Sequence, residues 1–418
     1  MTPLRSHSPP SILLAAATWW PLSARLAMAL ARHGCAVSAV CPPGHPLRFV
    51  SGVEAIYPLS GLNSLESLKA AILSRQPDVI VPCDDGMVWQ LHDLHAREAQ
   101  LRPLIEDSLG PAENYPVIRS RGELLGAAQK LGIRTPENRT IAAEQDLAGS
   151  ASGVLKLDGT WGGSGVEIAH SQTEVLAAYR RLAQPAGAGV AWKRLLINRE
   201  ALALWSWRKR EKPRVTLQQF IPGRPANTMF AVRAGEVLAI VTVEVLCAQG
   251  ATGAATVVRL VRNDEIARAA RLLAWQFKLN GLYGLDFILE QRTGDPYLIE
   301  MNPRCTQLGH LRLPGQGDLA GAMVARWKNG SVSLPDDPID REVVAFFPQA
   351  FSWDPKSQYL RHGYHDVPWE EPRLVRELLR QPWPDRQWPA RIYHSLRAPK
   401  QKQEVRFDYA LSKHPVEQ

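Results

Sequence analysis

The sequence predicts an α/β protein of more than one domain. Three patterns carry that reading: a strand–helix–strand rhythm over residues 1–115, a glycine-rich loop between two apolar runs near residue 160, and an alternating hairpin around residue 293. The chain has 418 residues, 45% hydrophobic and 22% charged, which is ordinary globular usage and excludes a largely disordered chain, a collagen and a disulfide-stapled miniprotein. Lys plus Arg (49) exceeds Asp plus Glu (41) by 8, a mild excess that suits an anionic small ligand as well as nucleic acid. The cysteines (Cys35, Cys41, Cys83, Cys247, Cys305) are odd in number and lack CxxC spacing, so they read as free thiols of a reducing compartment. No apolar run approaches the ~18 residues that cross a bilayer. Residues 12–20 read as a buried first strand and not a signal-peptide core, because Pro21 and an amphipathic stretch follow at once. A cytoplasmic location is the expectation.

Residues 12–17 are the first expected strand. Leu22, Leu26, Ala29 and Leu30 then recur at helical spacing until His33-Gly34. Residues 36–40 and 54–59 read as strands, Leu65, Leu68 and Ile72 as a helix face, and 78–82 as a strand. This rhythm implies a parallel sheet with helices on its faces. No GxGxxG follows the first strand, so a dinucleotide site has no support. Asp84 and Asp85 follow a strand end, where ligands often bind, but a solvated turn or helix cap is the commoner role.

Leu124, Leu125, Ala128 and Leu131 line a helix that Gly132 ends, and Ser171 is expected to cap a helix beginning near Thr173. Residues 184–214 carry Lys193, Arg194, Arg199, Arg208, Lys209, Arg210, Lys212 and Arg214 against only Glu200 and Glu211, interleaved with Leu and Trp. They read as a basic amphipathic helix whose apolar stripe packs on its own domain, with an anionic membrane surface as the second reading. Strands are expected at 215–221, 229–233 and 237–245, with turns at Pro222-Gly223 and Ala234-Gly235, and a helix through Ile266, Ala270, Leu273 and Phe277. Beyond 335 the chain is rich in Pro and Trp and reads as irregular, with one strand (343–347), one helix (372–380) and a mobile tail. Trp353 and Trp369 are expected in core packing, with an acceptor pocket as the alternative.

The first chemical feature is the stretch from Lys156 to Val166, with glycines at 159, 162, 163 and 165 between strands 154–157 and 166–169. Without β-carbons, its amides approach an anion closely, and Lys156 adds a point charge. The second is the hairpin of residues 285–290 and 297–302. With its turn centred on Thr293, Asp286 lies opposite Glu300, and Asn302 shares the face of Glu300. Two facing carboxylates repel, and a cation between them removes the conflict. Two carboxylates and an amide are oxygen-only donors that suit Mg²⁺, and Arg304 adds a fork for a phosphate or carboxylate.

In this order the motifs resemble the ATP-grasp superfamily over residues 10–330. The segment Tyr297-Leu-Ile-Glu300-Met-Asn302-Pro-Arg304 resembles that family's final metal-binding strand, and Asp286-Phe287 its earlier acidic ligand. Lys156 with Gly162, Gly163, Ser164 and Gly165 resembles its phosphate flap. Arg121, eleven residues before Gly132, stands where the family places a basic residue on ATP phosphate. Residues 217–223 resemble the strand that frames adenine, where Gln219 and Ile221 offer backbone groups and Gln218 replaces a common Glu.

The resemblance implies a Rossmann-like pre-ATP-grasp domain (1–115), a two-lobed α+β ATP-grasp domain (116–330, flap lobe about 136–220 with the basic insertion 184–214) and a C-terminal extension (331–418). It implies an ATP-dependent ligase that converts a carboxylate to an acyl phosphate and joins it to an amine, with ATP and Mg²⁺ or Mn²⁺ as cofactors. Metal would sit on Asp286, Glu300 and Asn302, with Arg304 and Lys156 in catalysis. The alternatives are a phosphotransferase that stops at a phosphorylated product and a non-catalytic ATP-binding regulator. Small-molecule carboxylate and amine substrates are the expected partners, nucleic acid is not, and homo-oligomerisation is left open.

Overall fold

A computed structural model describes residues 10–158, 165–184, 187–209, 214–313, 317–327, 339–395 and 404–407. The first block forms as its rhythm dictates: β1 (Ser11–Ala15), α1 (Leu22–Arg32), β2 (Ala36–Cys41), β3 (Val53–Pro58), α2 (Ser64–Arg75), β4 (Val79–Pro82) and α3 (Asp85–Arg97). The strands are all parallel, in the order β3-β2-β1-β4. Both faces are covered, which is why the strands read as unbroken apolar runs. Ile12 and Leu14 pack with Leu26 and Leu30 of α1, while Leu13 and Ala15 pack with Leu68 and Ile72 of α2 and Leu91 of α3.

Three short helices follow: α4 (Arg102–Leu109), α5 (Tyr115–Arg119) and α6 (Arg121–Lys130). The Ser120 hydroxyl accepts from the Glu123 amide and caps α6, so Arg121 opens that helix. A small antiparallel sheet of β5 (Asn138–Ile141), β6 (Gly153–Leu157), β7 (Val166–Ala169) and β8 (Val215–Gln218) runs in the order β5-β8-β6-β7. Ser171 caps α7 (Gln172–Leu182) as expected, accepting from the Glu174 amide.

The basic segment is two helices, not one: α8 (Ala188–Leu196) and α9 (Ala203–Lys209). Nor does its stripe pack on its own lobe. Ala201 and Leu202 are buried in the N-terminal core with Leu13, Met87 and Leu91. A β-carbon at Gly86 would stand 2.1 Å from Leu202 Cδ1, so the absent side chain is what lets the insertion settle on α3. Lys209 pairs with Asp93 of α3 and fixes the other end. Arg210 and Lys212 lie outside the described residues.

The large sheet has eight strands. Its path is β13 (Pro296–Asn302), β12 (Gly281–Glu290), β9 (Gly223–Arg233), β10 (Glu236–Gln249) and β11 (Ala255–Leu260), then Val343–Phe346 and Tyr364–Asp366. β9 begins at Gly223, where a turn was expected. β11 had no distinct signal in the sequence. Helix α10 (Asp264–Gln276) buries Ile266, Ala270 and Leu273 against one face with Phe230 and Phe287. The extension beyond residue 335 is less irregular than its composition implied. Two of its strands lengthen this sheet, and Glu404–Arg406, in the expected mobile tail, pairs with β10. Trp369 is 74% exposed, so it does not take the core role expected of it.

A buried ionic cluster ties these parts together. Asp366 accepts from Arg25 Nη2 of α1 at 2.5 Å and lies 2.7 Å from His310 Nε2. Burial raises the Asp366 carboxyl, but the charges of Arg25 and His310 outweigh it and bring it down to about 2.

Candidate active site

The site begins at the β12–β13 hairpin. Asp286 does stand opposite Glu300, and Gly284 opposite Asn302. The turn is not centred where that register requires, however. Near the tip Ile288 faces Tyr297 and Phe287 faces Leu298, and a bulge between Phe287 and Asp286 adds Ile299 to β13. A plain hairpin from the same turn would set Ile299 opposite Asp286 and Glu300 opposite Leu285, which is fully buried. The bulge therefore brings the second carboxylate to the face of the first. The Ile299 carbonyl accepts from Lys156 Nζ at 3.1 Å, so the extra residue also anchors the lysine.

Arg121 reaches the same point from α6. Its Nη2 and Nε donate to Glu300 Oε1 at 2.7 and 3.2 Å, and its Nη1 to the Leu157 carbonyl at 2.6 Å. Asp286 accepts from Asn227 Nδ2 at 2.6 Å and from Asn302 Nδ2 at 2.9 Å. Arg304 donates through Nε to Asp85 Oδ2 at 2.9 Å and through Nη2 to Asn302 Oδ1 at 3.2 Å. Asp85 was missed as a site residue. A DD pair at a strand end gave only a generic signal, and its partner lies 219 positions away. Asp84 is the helix cap, accepting from Ala17, Thr18 and Met87 amides. The Cys305 amide donates to the Pro82 carbonyl at 3.3 Å, so the segment after β13 sits directly on the end of β4.

The electrostatics are those of a buried, charged cluster. Burial lowers Lys156 to about 8. Burial and the neighbouring Glu300 lift Asp286 to about 6, against its two amide donors. Burial also acts to raise Glu300, but Arg121 and Lys156 outweigh it and hold it below the usual carboxylate range. Burial pushes Asp158, beside Arg121, up to about 6. Three cations thus meet four carboxylates (Asp85, Asp158, Asp286, Glu300). Arg121 pairs with Glu300, and two side-chain amides serve Asp286, whose carboxyl still feels the neighbouring Glu300.

The adenine-framing residues are placed differently from expectation. The strand ends at Gln218, so Gln219 and Ile221 lie beyond it. The Gln219 amide is taken by the Glu137 carbonyl at 2.8 Å and is not open to a base. Gln218 is 2% exposed, and its Nε2 has no hydrogen-bond partner among the described residues. Gly162, Gly163 and Ser164 lie outside the described residues. Gly165 ends the loop at φ +81°, and its carbonyl accepts from the Leu157 amide at 2.8 Å.

As a donor set, Asp286, Glu300 and the Asn302 amide oxygen fit a hard divalent cation, which takes oxygen ligands and leaves the rest of its shell to water and phosphate. Among the described residues no group of three or more His, Cys, Asp and Glu side chains is arranged to hold a metal. Such a cation would therefore depend on the amide and on its ligand's own oxygens.

Residues 198–307 match the family model of the ATP-grasp domain. The structure is similar over most of its length to solved ones. Phosphoribosylamine–glycine ligase from Thermotoga maritima aligns at 19% identity and TM-score 0.52, with 78% of each chain covered. L-amino acid ligase from Bacillus licheniformis aligns at 16% and 0.53, covering 80% of this chain and 79% of the other. N5-carboxyaminoimidazole synthase from Aspergillus clavatus, in complex with ADP and 5-aminoimidazole ribonucleotide, aligns at 16% and 0.56, with 80% of each covered. This is an ATP-grasp fold. No curated protein matches the sequence. In ATP-grasp terms the parallel block is the Rossmann-like domain that precedes the core, and the small and large sheets are the two lobes. Insertion α8–α9 leaves the small lobe to rest on the preceding domain. No helix among the described residues is long and apolar enough to cross a membrane.

Proposed function

We infer that the protein is an ATP-dependent ligase that activates a carboxylate as an acyl phosphate and joins it to an amine, releasing ADP and phosphate. The observation that carries this reading is the meeting of Asp286 and Glu300 across one strand pair, with Lys156, Arg121 and Arg304 around them. The relatives by structure that are named ligases support the same class. The domains run 1–115, 116–330 and 331–418, and the protein works in the cytoplasm.

Phosphoryl transfer gains little from covalent help, so the protein's task is positioning and charge. Asp286, Glu300 and Asn302 would hold Mg²⁺, which neutralises charge between the phosphates when bound. Arg121 and Lys156 supply fixed positive charge to the triphosphate. Gln218 offers its buried, unpartnered amide to the base, with the Gln219 carbonyl and Ile221 completing that edge. Arg304, held between Asp85 and Asn302, orients the acid. Gly162, Gly163, Ser164 and Gly165 would supply amides to the phosphates, as the composition of that stretch suits.

ADP release should require both a carboxylate pool and an amine pool. Release with the acid alone, at an unchanged rate, would make the protein a phosphotransferase, and release with neither would remove the acceptor altogether. Lys156→Ala should weaken ATP binding about ten- to a hundredfold, since a hydrogen bond to a charged group contributes ~1.5–3 kcal/mol. An unchanged ATP dissociation constant in calorimetry would take Lys156 out of the site.

A further inference from the structure

Two short helices from distant parts of the chain leave an apolar face uncovered. Among the described residues, five of the twelve exposed large apolar side chains lie on them, although together the helices hold 17 residues. Helix α8 exposes Val190 (49%), Trp192 (44%) and Leu196 (50%), and the C-terminal helix Trp388–Ser395 exposes Trp388 (73%) and Ile392 (55%). In each helix one side is anchored by a buried alanine, Ala191 and Ala390. Helical geometry then puts Trp192 and Leu196 together, and Trp388 and Ile392 together, four residues apart on the outer side. The helices are neighbours: Lys193 Nζ stands 4.6 Å from the Tyr393 ring centroid.

Charge decides what covers this face. Neither helix contains an Asp or Glu; Arg391 is exposed beside Ile392, half-buried Lys193 lies over the Tyr393 ring, and Arg194 of α8 is paired with Glu200. Tryptophan, leucine and isoleucine beside lysine and arginine, with no acid within either helix, is the composition of an interfacial membrane-binding surface. A nucleic acid would need a run of cations spaced to phosphates and would gain nothing from exposed Ile392 and Leu196. The chain that follows α8 is held on the N-terminal domain by Leu202 and by the Lys209–Asp93 pair. We propose that α8 and the helix Trp388–Ser395 form one docking surface for an anionic lipid bilayer, which brings the enzyme to a membrane without spanning it. This surface lies apart from the nucleotide cleft and does not depend on the ligase reading.

The test is co-sedimentation of the full chain with vesicles of phosphatidylcholine alone and of phosphatidylcholine with phosphatidylglycerol. Binding is expected only to the mixed vesicles, and it should weaken in high salt because the attraction between surface charges is screened. The pair Trp388→Ala and Ile392→Ala should lower affinity at least about tenfold by removing apolar groups from the interface. Arg391→Glu, at an exposed position, should weaken binding further, while circular dichroism stays that of the wild type. No binding to the mixed vesicles, or equal binding to both kinds, overturns the proposal. So does a face occupied by a second copy, seen as a dimer that the Trp192→Ala variant breaks. Capture of RNA or DNA in place of vesicles overturns it as well.

Discussion

Glu300→Gln is expected to lower metal-dependent ADP release by about a hundredfold or more, the scale on which one preorganised electrostatic group acts, while nucleotide still binds. The side chain keeps its size, so packing at the bulge is preserved. What changes is charge. Arg121 and Lys156 lose the anion that both face, and Asp286 loses the neighbour that helps lift it to about 6. The cleft becomes more positive, which favours a triphosphate but leaves one carboxylate for a divalent cation. Turnover measured across a magnesium titration, beside ATP binding by calorimetry, separates the two effects. Full turnover in the variant would remove Glu300 from the metal site and leave Arg121 as its structural partner.

Asp366→Asn is expected to cost about 3–5 kcal/mol of stability, as breaking a buried ion pair on one side does. Arg25, with 6% of its side chain exposed, would remain buried without its counter-charge. Asp366 is held at about 2 in the folded chain, below the ~3.9 of an unfolded aspartate. Its contribution is therefore present in full above the unfolded value and is lost as pH falls through the folded one. Urea midpoints of wild type and variant should differ most near neutral pH and converge as the pH drops from about 4 towards 2. Equal midpoints at neutral pH would show that the cluster contributes nothing to holding the strand Tyr364–Asp366 on α1.

Much of the fold was legible because burial writes itself into periodicity. β1 to β4 are covered on both faces, so they appear as short apolar runs, and α1, α2 and α10 as stripes. Lys156, Asp286, Glu300, Asn302 and Arg304 stood out because their residue types sit at strand ends and in one hairpin. The pairing of Asp286 with Glu300 was reached from a turn centre that the chain does not use; the bulge at Ile299 makes it true. A bulge has no composition of its own, since it is set by how Leu298 and Phe287 fill one core while two carboxylates occupy the opposite face. Which backbone group of Gln219 is open was not legible either. Its amide is claimed by the Glu137 carbonyl, a contact 82 positions away in sequence that local pattern does not encode, and only its carbonyl is left for a base.

Read alone, the chain dictates its sheet-and-helix blocks, the flap lysine and the acidic hairpin, because these rest on neighbours within a few residues. Folding in three dimensions decides the rest: Arg121 on Glu300, Asp85 on Arg304, Asp366 between Arg25 and His310, and the insertion lying on α3. Apart from Asp366 and His310, which are 56 positions apart, each of these joins residues more than 100 positions apart. Charges that distant find one another only once buried apolar surfaces have fixed the backbone, so no local spacing can announce them.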